Sequence, residues 1–284
     1  MADRARPPRG PWRDVLSDPW ARSGLMILAA FALLAVAGPP LLLPEDAART
    51  LSAAVANEPP SQLHPMGTDA IRTDVFERYL DGARATLGIG LFAGLGGALF
   101  GVMVGACAGF AGGWVDRVLM RSVDFFIALP KLVLLVALAA VHDLGPVSLG
   151  LFIALVQWPS LARIVRGDVV GIMQREFVVA LRTLGLGSRR ILVRHVIPNV
   201  QGPILVGAVL AVANALLIEA GLAFLGLGLD EGSWGGLVRS GRVLFPHWWI
   251  GGFAGASLVL VVVALNLVAD AVRDAFDPRM EPRR

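Results

Sequence analysis

The sequence contains very few residues of the kinds that hold nucleotide phosphates, form disulfides or bind metals. Lys131 is its only lysine, Cys107 is its only cysteine, and its four histidines stand far apart. A P-loop requires a lysine directly after a glycine-rich turn, whereas Lys131 follows Leu129 and Pro130 with no glycine nearby. The chain is therefore not a P-loop ATPase.

Catalytic and metal-binding patterns are also missing. A single cysteine excludes an internal disulfide, and the sequence has neither an HExxH nor a CxxC pattern. We therefore predict no metal ligands, no catalytic residues and no cofactor, and we expect that the chain is not an enzyme.

The basic residues do not indicate a nucleic-acid partner. The net charge is only +3, although the isoelectric point is about 9.9. A nucleic-acid-binding domain gathers its basic residues on one soluble face, whereas the arginines here flank hydrophobic runs. No nucleic-acid partner is predicted.

Apolar residues are in excess and are concentrated in long runs. They make up 56% of the chain, and the mean hydropathy is +0.68, whereas soluble domains have roughly 45–50% apolar residues. Helices of about 20 apolar residues cross a bilayer. Six stretches reach this length, at residues 25–43, 85–115, 118–141, 144–162, 203–229 and 248–269. We predict an all-α integral membrane protein with six transmembrane helices, the first retained as a span and not cleaved as a signal peptide.

Basic residues between the predicted spans indicate the orientation. If the N-terminus is cytoplasmic, the inside segments hold 18 of the 25 basic residues and the outside segments hold 6. Cytoplasmic loops carry the excess of Lys and Arg, so both termini are predicted to be cytoplasmic. The predicted parts are a cytoplasmic tail (1–24), the first span (25–43), an extracytoplasmic loop (44–84), a five-helix core (85–270) containing a cytoplasmic loop (163–199), and a second cytoplasmic tail (271–284).

Glycines recur every four residues in the second predicted span. They are Gly97, Gly101, Gly105, Gly109 and Gly113. This spacing places them on one helix face, where a second helix can approach the backbone closely. The alternative is that glycine is simply frequent in membrane helices.

Three ionisable residues fall at membrane depth: Asp124, Lys131 and Glu219. Charges there are costly and commonly face a partner or a water-filled pathway. Asp124 and Lys131 are seven residues apart, so one continuous helix would place them on one face near its two ends, where Lys131 could extend to the interface. Asp124 and Glu219 are candidate pathway or buried polar residues.

The segment between the fourth and fifth predicted spans has the pattern of a helical hairpin. A part-apolar helix from Glu176 is followed by Gly185 and Gly187, which predict a stop and a turn. An arginine-rich helix follows, and Pro198 marks the entry to the next span. We expect the hairpin to expose Phe177, Val178, Leu181 and Leu184, which favours a partner groove. The alternative is an amphipathic helix lying on the membrane surface.

This hairpin resembles the cytoplasmic "EAA" loop of ATP-binding-cassette (ABC) importer permeases. That loop has EAA, three residues, Gly, nine residues and His-x-x-Pro, and Gly185, His195 and Pro198 are in register with it. Ala180 fits the pattern, whereas Val179 replaces its glutamate and Leu181 its second alanine.

Further motifs extend the resemblance over nearly the whole chain. His64 to Asp69, followed by Asp74-Val75, is similar to the HPLGTDxxGRDV box of C-type dipeptide and oligopeptide permeases, with Arg72 and Thr73 in place of its Gly-Arg. The other matching segments are Gly112 to Asp116, Val123-Asp124, Trp158-Pro159, Phe224 to Gly228, Ser233 to Gly235 and Asp270 to Arg279.

The resemblance implies a six-span, MetI-like permease subunit in the bacterial inner membrane. The implied partners are a second, homologous permease subunit, two cytoplasmic ATP-binding subunits, an extracytoplasmic substrate-binding protein and the surrounding lipid. The implied substrates are di- and oligopeptides, with nickel chelates carried by some relatives. The implied ATPase-coupling residues are Glu176, Ala180, Leu181, Gly185, His195 and Pro198.

A self-sufficient secondary transporter or channel is the alternative function. It would use Asp124 or Glu219 as an ion or proton site inside the membrane. Such carriers are commonly built from inverted repeats with broken helices, and the sequence shows no convincing internal repeat.

Overall fold

The computed structural model describes residues 11–42, 55–142, 145–228, 232–243 and 247–276. Regular structure in these ranges is helical, apart from one β-bridge between Thr68 and Asp74. The helices are α1 (Pro11–Ser17), α2 (Pro19–Leu42), α3 (Val75–Ala111), α4 (Gly113–Ala128), α5 (Lys131–Val141), α6 (Pro146–Met173), α7 (Glu176–Thr183), α8 (Ser188–Ile191), α9 (Ile197–Asn199), α10 (Gln201–Phe224), α11 (Trp234–Val243) and α12 (Trp249–Phe276), with a π-helical turn at Leu192–Val196.

Five single helices are long and apolar enough to cross a membrane. They are α2, α3, α6, α10 and α12, and α4 with α5 form a sixth candidate that is bent by 81°. The all-helical membrane architecture predicted from hydropathy is confirmed, with five or six candidate spans. Several helices extend beyond the predicted apolar stretches, since hydropathy detects the lipid-soluble part of a helix and not its ends.

The start of α3 illustrates this difference. The predicted apolar stretch begins at residue 85, whereas the helix begins at Val75. Asp74 is the N-cap, and its carboxylate accepts a hydrogen bond of 2.7 Å from the Phe76 backbone N–H. Glu77 stands three residues later, as in a capping box. Similarly, α6 continues to Met173, well into the segment predicted as a loop from residue 163.

The third predicted span is broken at Leu129 and Pro130. Leu129 is extended, with φ −82° and ψ 131°, because the residue before a proline is disfavoured in the α-helical region. Asp124 and Lys131 therefore lie on two helices, α4 and α5, that meet at 81°. The prediction that they share one helix face is wrong.

The predicted glycine face packs α3 against α6. A Cβ atom added at Gly97, Gly101, Gly105 or Gly109 would lie 2.9, 2.6, 2.3 or 2.9 Å from an atom of α6. The prediction of close helix approach is confirmed for these four positions. It is wrong for Gly113, which begins α4 with φ +57° and has open space around it.

The register of this contact shows that α3 and α6 run parallel. Gly97 faces Ala154, Gly101 faces Trp158 and Gly105 faces Ala162, so both helices advance by four residues per contact. By contrast, Gly90 faces Leu216 and Gly94 faces Val212, so α10 runs antiparallel to α3. Helix α3 is therefore the central element on which α6 and α10 both pack.

The described ends of the chain lie side by side. The Trp12 ring packs edge-on against Phe276, with 5.5 Å between the ring centres. At the opposite end of the bundle, the segment before α3 folds into a compact loop. There the Asp69 carboxylate accepts hydrogen bonds from the Ile71 and Thr73 backbone N–H groups at 2.9 and 2.8 Å, and His64 Nδ1 lies 2.9 Å from the Asp74 carboxylate.

Arg72, in this loop, has an unfavourable backbone conformation that a substitution can relieve. Its φ is +66°, which glycine adopts readily and other L-residues adopt at a cost of roughly 1–2 kcal/mol. Because glycine also loses more backbone entropy on folding, we expect Arg72→Gly to raise the free energy of unfolding by about 0.5–1 kcal/mol. Thermal unfolding in detergent measures this gain. Arg72→Ala, which keeps a Cβ atom, is the control, and an equal gain from both variants would contradict the explanation.

Two glycines of α3 provide a matched pair for testing the helix contact. A Cβ atom at Gly105 would lie 2.3 Å from the Ala162 carbonyl oxygen, whereas Gly88 has no neighbour within 4 Å. We expect Gly105→Ala to lower the unfolding temperature, since overpacking costs about 1–3 kcal/mol, and Gly88→Ala to leave it unchanged or slightly raised. Equal effects in the two variants would show that the close approach is not needed.

Candidate functional site

The hairpin between α6 and α10 turns at a glycine-dependent helix cap. Gly185 has φ +78°, its N–H donates to the Arg182 carbonyl at 2.9 Å, and the Leu186 N–H donates to the Leu181 carbonyl at 3.2 Å. This pair of bonds is a Schellman motif, in which the residue at the Gly185 position adopts the left-handed conformation. The local sequence therefore ends α7 at this glycine.

The returning arm of the hairpin is short and irregular. Helix α8 passes into the π-helical turn, which contains Arg194 and His195, and then into α9 and α10. Pro198 has no backbone N–H and cannot serve the Arg194 carbonyl in an α-helix. The Asn199 side-chain amide donates to the His195 carbonyl at 2.6 Å. π-Helical turns are rare and occur frequently at functional sites.

One side of the hairpin is anchored to the membrane helices. Val178, Ile191, Val196 and Val200 are almost fully buried in a single apolar cluster. The same cluster includes Val165, Val169 and Ile172 from the last turns of α6. The prediction that Val178 is exposed is wrong, because the hairpin folds back onto α6 and uses this side chain as an anchor.

The exposed large apolar residues of the hairpin, here called the outer face, are Phe177, Val179, Leu184 and Val193. Their exposed fractions are 38%, 56%, 75% and 60%. The predicted exposure of Phe177 and Leu184 is confirmed, whereas Leu181 is half-buried against the anchoring cluster. The hairpin also has four exposed arginines: Arg182, Arg189, Arg190 and Arg194.

The six residues predicted to couple this loop to an ATPase all lie on the hairpin or on its exit into α10. Glu176, Ala180, Gly185 and Pro198 are exposed, and Leu181 and His195 are half-buried. Glu176 stands in the first turn of α7 and Pro198 lies within α9. The fold thus gathers them at one end of the bundle, the end where α6 stops.

The two acidic candidates of the membrane segments lie far from each other. Asp124 of α4 forms an ion pair with Arg163 of α6, and both side chains are about half exposed. Glu219 of α10 is fully buried, facing the hydroxyl groups of Thr86 and Ser233, and neither carboxyl oxygen meets a partner at full hydrogen-bond geometry.

Glu219 lies in a group of buried polar residues near the start of α3, which is the end of the bundle opposite the hairpin. The Trp234 backbone N–H donates to the Thr86 hydroxyl at 3.0 Å, and the Trp234 indole N–H donates to the Tyr79 carbonyl at 3.0 Å. Glu219 faces Thr86 of α3, and Asp124 pairs with Arg163, whose neighbour Ala162 packs on Gly105 of α3. Thr86 and Gly105 are 19 residues apart on this one helix. At 1.5 Å per residue this separation is about 28 Å. Asp124 and Glu219 therefore do not form a common ion site.

The sequence reasoning missed a cluster of charges between α4 and α6. Besides the Asp124–Arg163 pair, Arg166 binds Asp116 through two bonds of 3.0 and 2.6 Å. The only signal in the sequence was the helical spacing of charges on α4, which does not reveal the partner helix. Across the described ranges, no three His, Cys, Asp or Glu side chains are grouped to hold a metal ion.

Comparison with known proteins places this architecture in a family. Residues 97–282 match the family described as "binding-protein-dependent transport system inner membrane component". This range contains α6, α10 and the whole hairpin.

Similar proteins cover most of the chain. A putative peptide permease protein of Brucella suis biovar 1 is 40% identical over 91% of this chain and 86% of its own length. The dipeptide transport system permease protein DppC of Bacillus subtilis is 36% identical over 95% of this chain and 85% of its own length. The glutathione transport system permease protein GsiD of Pectobacterium atrosepticum is 33% identical over 96% and 93%. The chain is therefore a multi-pass inner-membrane protein that belongs to the family of binding-protein-dependent transport system inner membrane components.

Proposed function

We propose that this chain is a permease subunit of an ABC importer for di- and oligopeptides. The names of its relatives support the substrate class, since they include peptide, dipeptide and glutathione permeases. The observation that carries the proposal is the hairpin, which is anchored by Val178 and Val196 and presents Val179 and Leu184 outward. An exposed apolar face on an anchored element is suited to docking a partner protein.

The proposed topology has six spans with both termini in the cytoplasm. Because α3 and α6 run parallel, the chain between them has to return across the membrane, and the bent pair α4 and α5 is the segment available to do so. The contact of Trp12 with Phe276 supports termini on one side. The arginine distribution favours the cytoplasm for that side.

The hairpin then lies in the cytoplasm, within reach of two ATP-binding subunits. Phe276 of α12 and Arg175 and Asn199 at the base of the hairpin line one cavity of about 620 Å³. The start of α1, the end of α12 and the hairpin base are therefore at the same end of the bundle.

Coupling follows from the way the hairpin is attached. Its buried valines share one cluster with the end of α6, and its exit leads through α9 directly into α10. Both membrane helices pack on the glycines of α3. A push on the outer face therefore moves α6 and α10 together, as in rigid-body rocking of two halves of a transporter. The other half is a second, homologous permease subunit.

The docking contact on this hairpin is apolar at the position where the EAA pattern has a glutamate. Val179 stands at the glutamate position of the EAA pattern and is 56% exposed. The partner groove opposite Val179 is therefore apolar, and the four exposed arginines of the same hairpin favour acidic residues on the partner near that groove.

The compact loop before α3 lies at the opposite end of the bundle, on the side where a substrate-binding protein delivers its ligand. Trp249 at the start of α12 supports this loop, with its indole N–H 3.4 Å from the Thr68 carbonyl. Substrate selection lies largely with the binding protein in this proposal, and this chain lines the pathway with its homologous partner.

Two glycines of the hairpin provide the test. Gly185 has φ +78°, whereas Gly187 has φ −62° and open space around it. Gly185→Val strains the turn by ~1–2 kcal/mol, which reduces the population of the native hairpin roughly 5- to 30-fold relative to its distorted forms. We expect peptide uptake by the reconstituted importer to fall, by this factor at most, while its ATPase activity persists.

Gly187→Ala is the control for this experiment and should transport peptide at the wild-type rate. Membrane levels of both variants are compared on immunoblots, so that loss of protein is not mistaken for loss of coupling. Normal peptide uptake by Gly185→Val would overturn the coupling role of the hairpin.

A further inference from the structure

An open pocket between α4 and α6 has four arginines in its lining. Its charged lining consists of Asp116, Arg117, Arg121, Asp124, Arg163 and Arg166, and its volume is about 540 Å³. It lies near the end of the bundle that carries the hairpin, because Gly109, two residues before the end of α3, packs against Arg166 and Val169 of α6. The coupling proposal does not use this pocket.

Two of the four arginines that line the pocket are engaged in ion pairs within it, and the other two are not. Asp116 is bound by Arg166 through two bonds, and Asp124 is bound by Arg163. Arg117 and Arg121 are exposed and form no ion pair with any residue in the ranges that the structure covers. They are one helical turn apart, so both side chains lie on the same face of α4. The pocket carries two positive charges in excess and is suited to an anion.

An apolar strip runs along α4 beside these arginines. It consists of Trp114, Val118 and Phe125, whose exposed fractions are 71%, 57% and 61%. Exposed apolar side chains next to a basic pocket match the two parts of a phospholipid, which has a charged headgroup joined to acyl chains. Tryptophan is also enriched at the membrane interface, at the depth of the headgroups.

We propose that this pocket binds the phosphate group of an anionic phospholipid. Arg117 and Arg121 donate hydrogen bonds to the phosphate oxygens, for which the planar guanidinium group is well shaped. The acyl chains lie along Trp114, Val118 and Phe125. Basic pockets between transmembrane helices are suited to such headgroups. A lipid held there braces α4 against α6, the helix that leads into the hairpin.

The test measures stabilisation of the purified complex, with its partner subunits, by added lipid. Phosphatidylglycerol and phosphatidylcholine are titrated in mixed micelles while thermal unfolding is followed. Each arginine near an anionic surface contributes a factor of about five in affinity. We therefore expect Arg117→Gln/Arg121→Gln to raise the phosphatidylglycerol concentration for half-maximal stabilisation about 30-fold, with no change in the response to phosphatidylcholine.

Two controls separate this site from general surface charge. Arg13→Gln/Arg22→Gln removes two exposed arginines of α1 and α2 and should leave the titration unchanged. Arg117→Lys/Arg121→Lys keeps both charges and should bind phosphatidylglycerol more tightly than the glutamine variant, which shows that the site, and not the fold, was affected.

Three results would overturn the proposal. Equal losses in the two glutamine variants would indicate non-specific attraction. Stabilisation by inorganic phosphate alone, at the same affinity as phosphatidylglycerol, would indicate a free anion as the ligand. No response to phosphatidylglycerol in the intact complex would show that another subunit covers the pocket.

Discussion

The close approach of α3 and α6 is the constraint on which the rest of the structure depends. Four glycines let α6 come so near that a single added Cβ atom would collide with it, and at Gly101, Gly105 and Gly109 the collision is with the backbone. In a bilayer the hydrophobic effect does not drive helices together, so association depends on such close packing. The parallel register that results requires the bent pair α4 and α5 to connect the two helices. It also places the end of α6 where the hairpin can be anchored.

The hairpin is a continuation of the membrane bundle and not an attached loop. Its buried valines complete the apolar cluster at the end of α6, and its π-helical turn leads into α10. One side is therefore held by the core, while the side bearing Val179 and Leu184 is left without apolar cover in this chain. In the proposed function, this division lets the hairpin transmit movement between a partner protein and two membrane helices.

The sequence predicted those features that depend on composition and local geometry. Hydropathy located the spans because lipid selects apolar residues over a fixed length, and Gly185 predicted the turn because few other residues adopt its φ of +78°. Features set by tertiary packing were missed. Val178 was predicted to be exposed, but the hairpin buries it against α6. The ion pair of Asp116 with Arg166 joins two residues that are 50 positions apart in the sequence. The break at Pro130 is consistent with its proline, but a proline does not predict the angle of 81° between α4 and α5.

The most direct test of the central claim is site-specific photo-crosslinking in the native membrane. A photoreactive amino acid is placed at position 184, where Leu184 is 75% exposed, or at position 178, where Val178 is fully buried. We expect a crosslink from position 184 to a P-loop ATPase subunit, identified by mass spectrometry, and none to that subunit from position 178. Crosslinks from position 184 to lipid alone, in membranes that contain the assembled transporter, would contradict docking of an ATPase on the outer face.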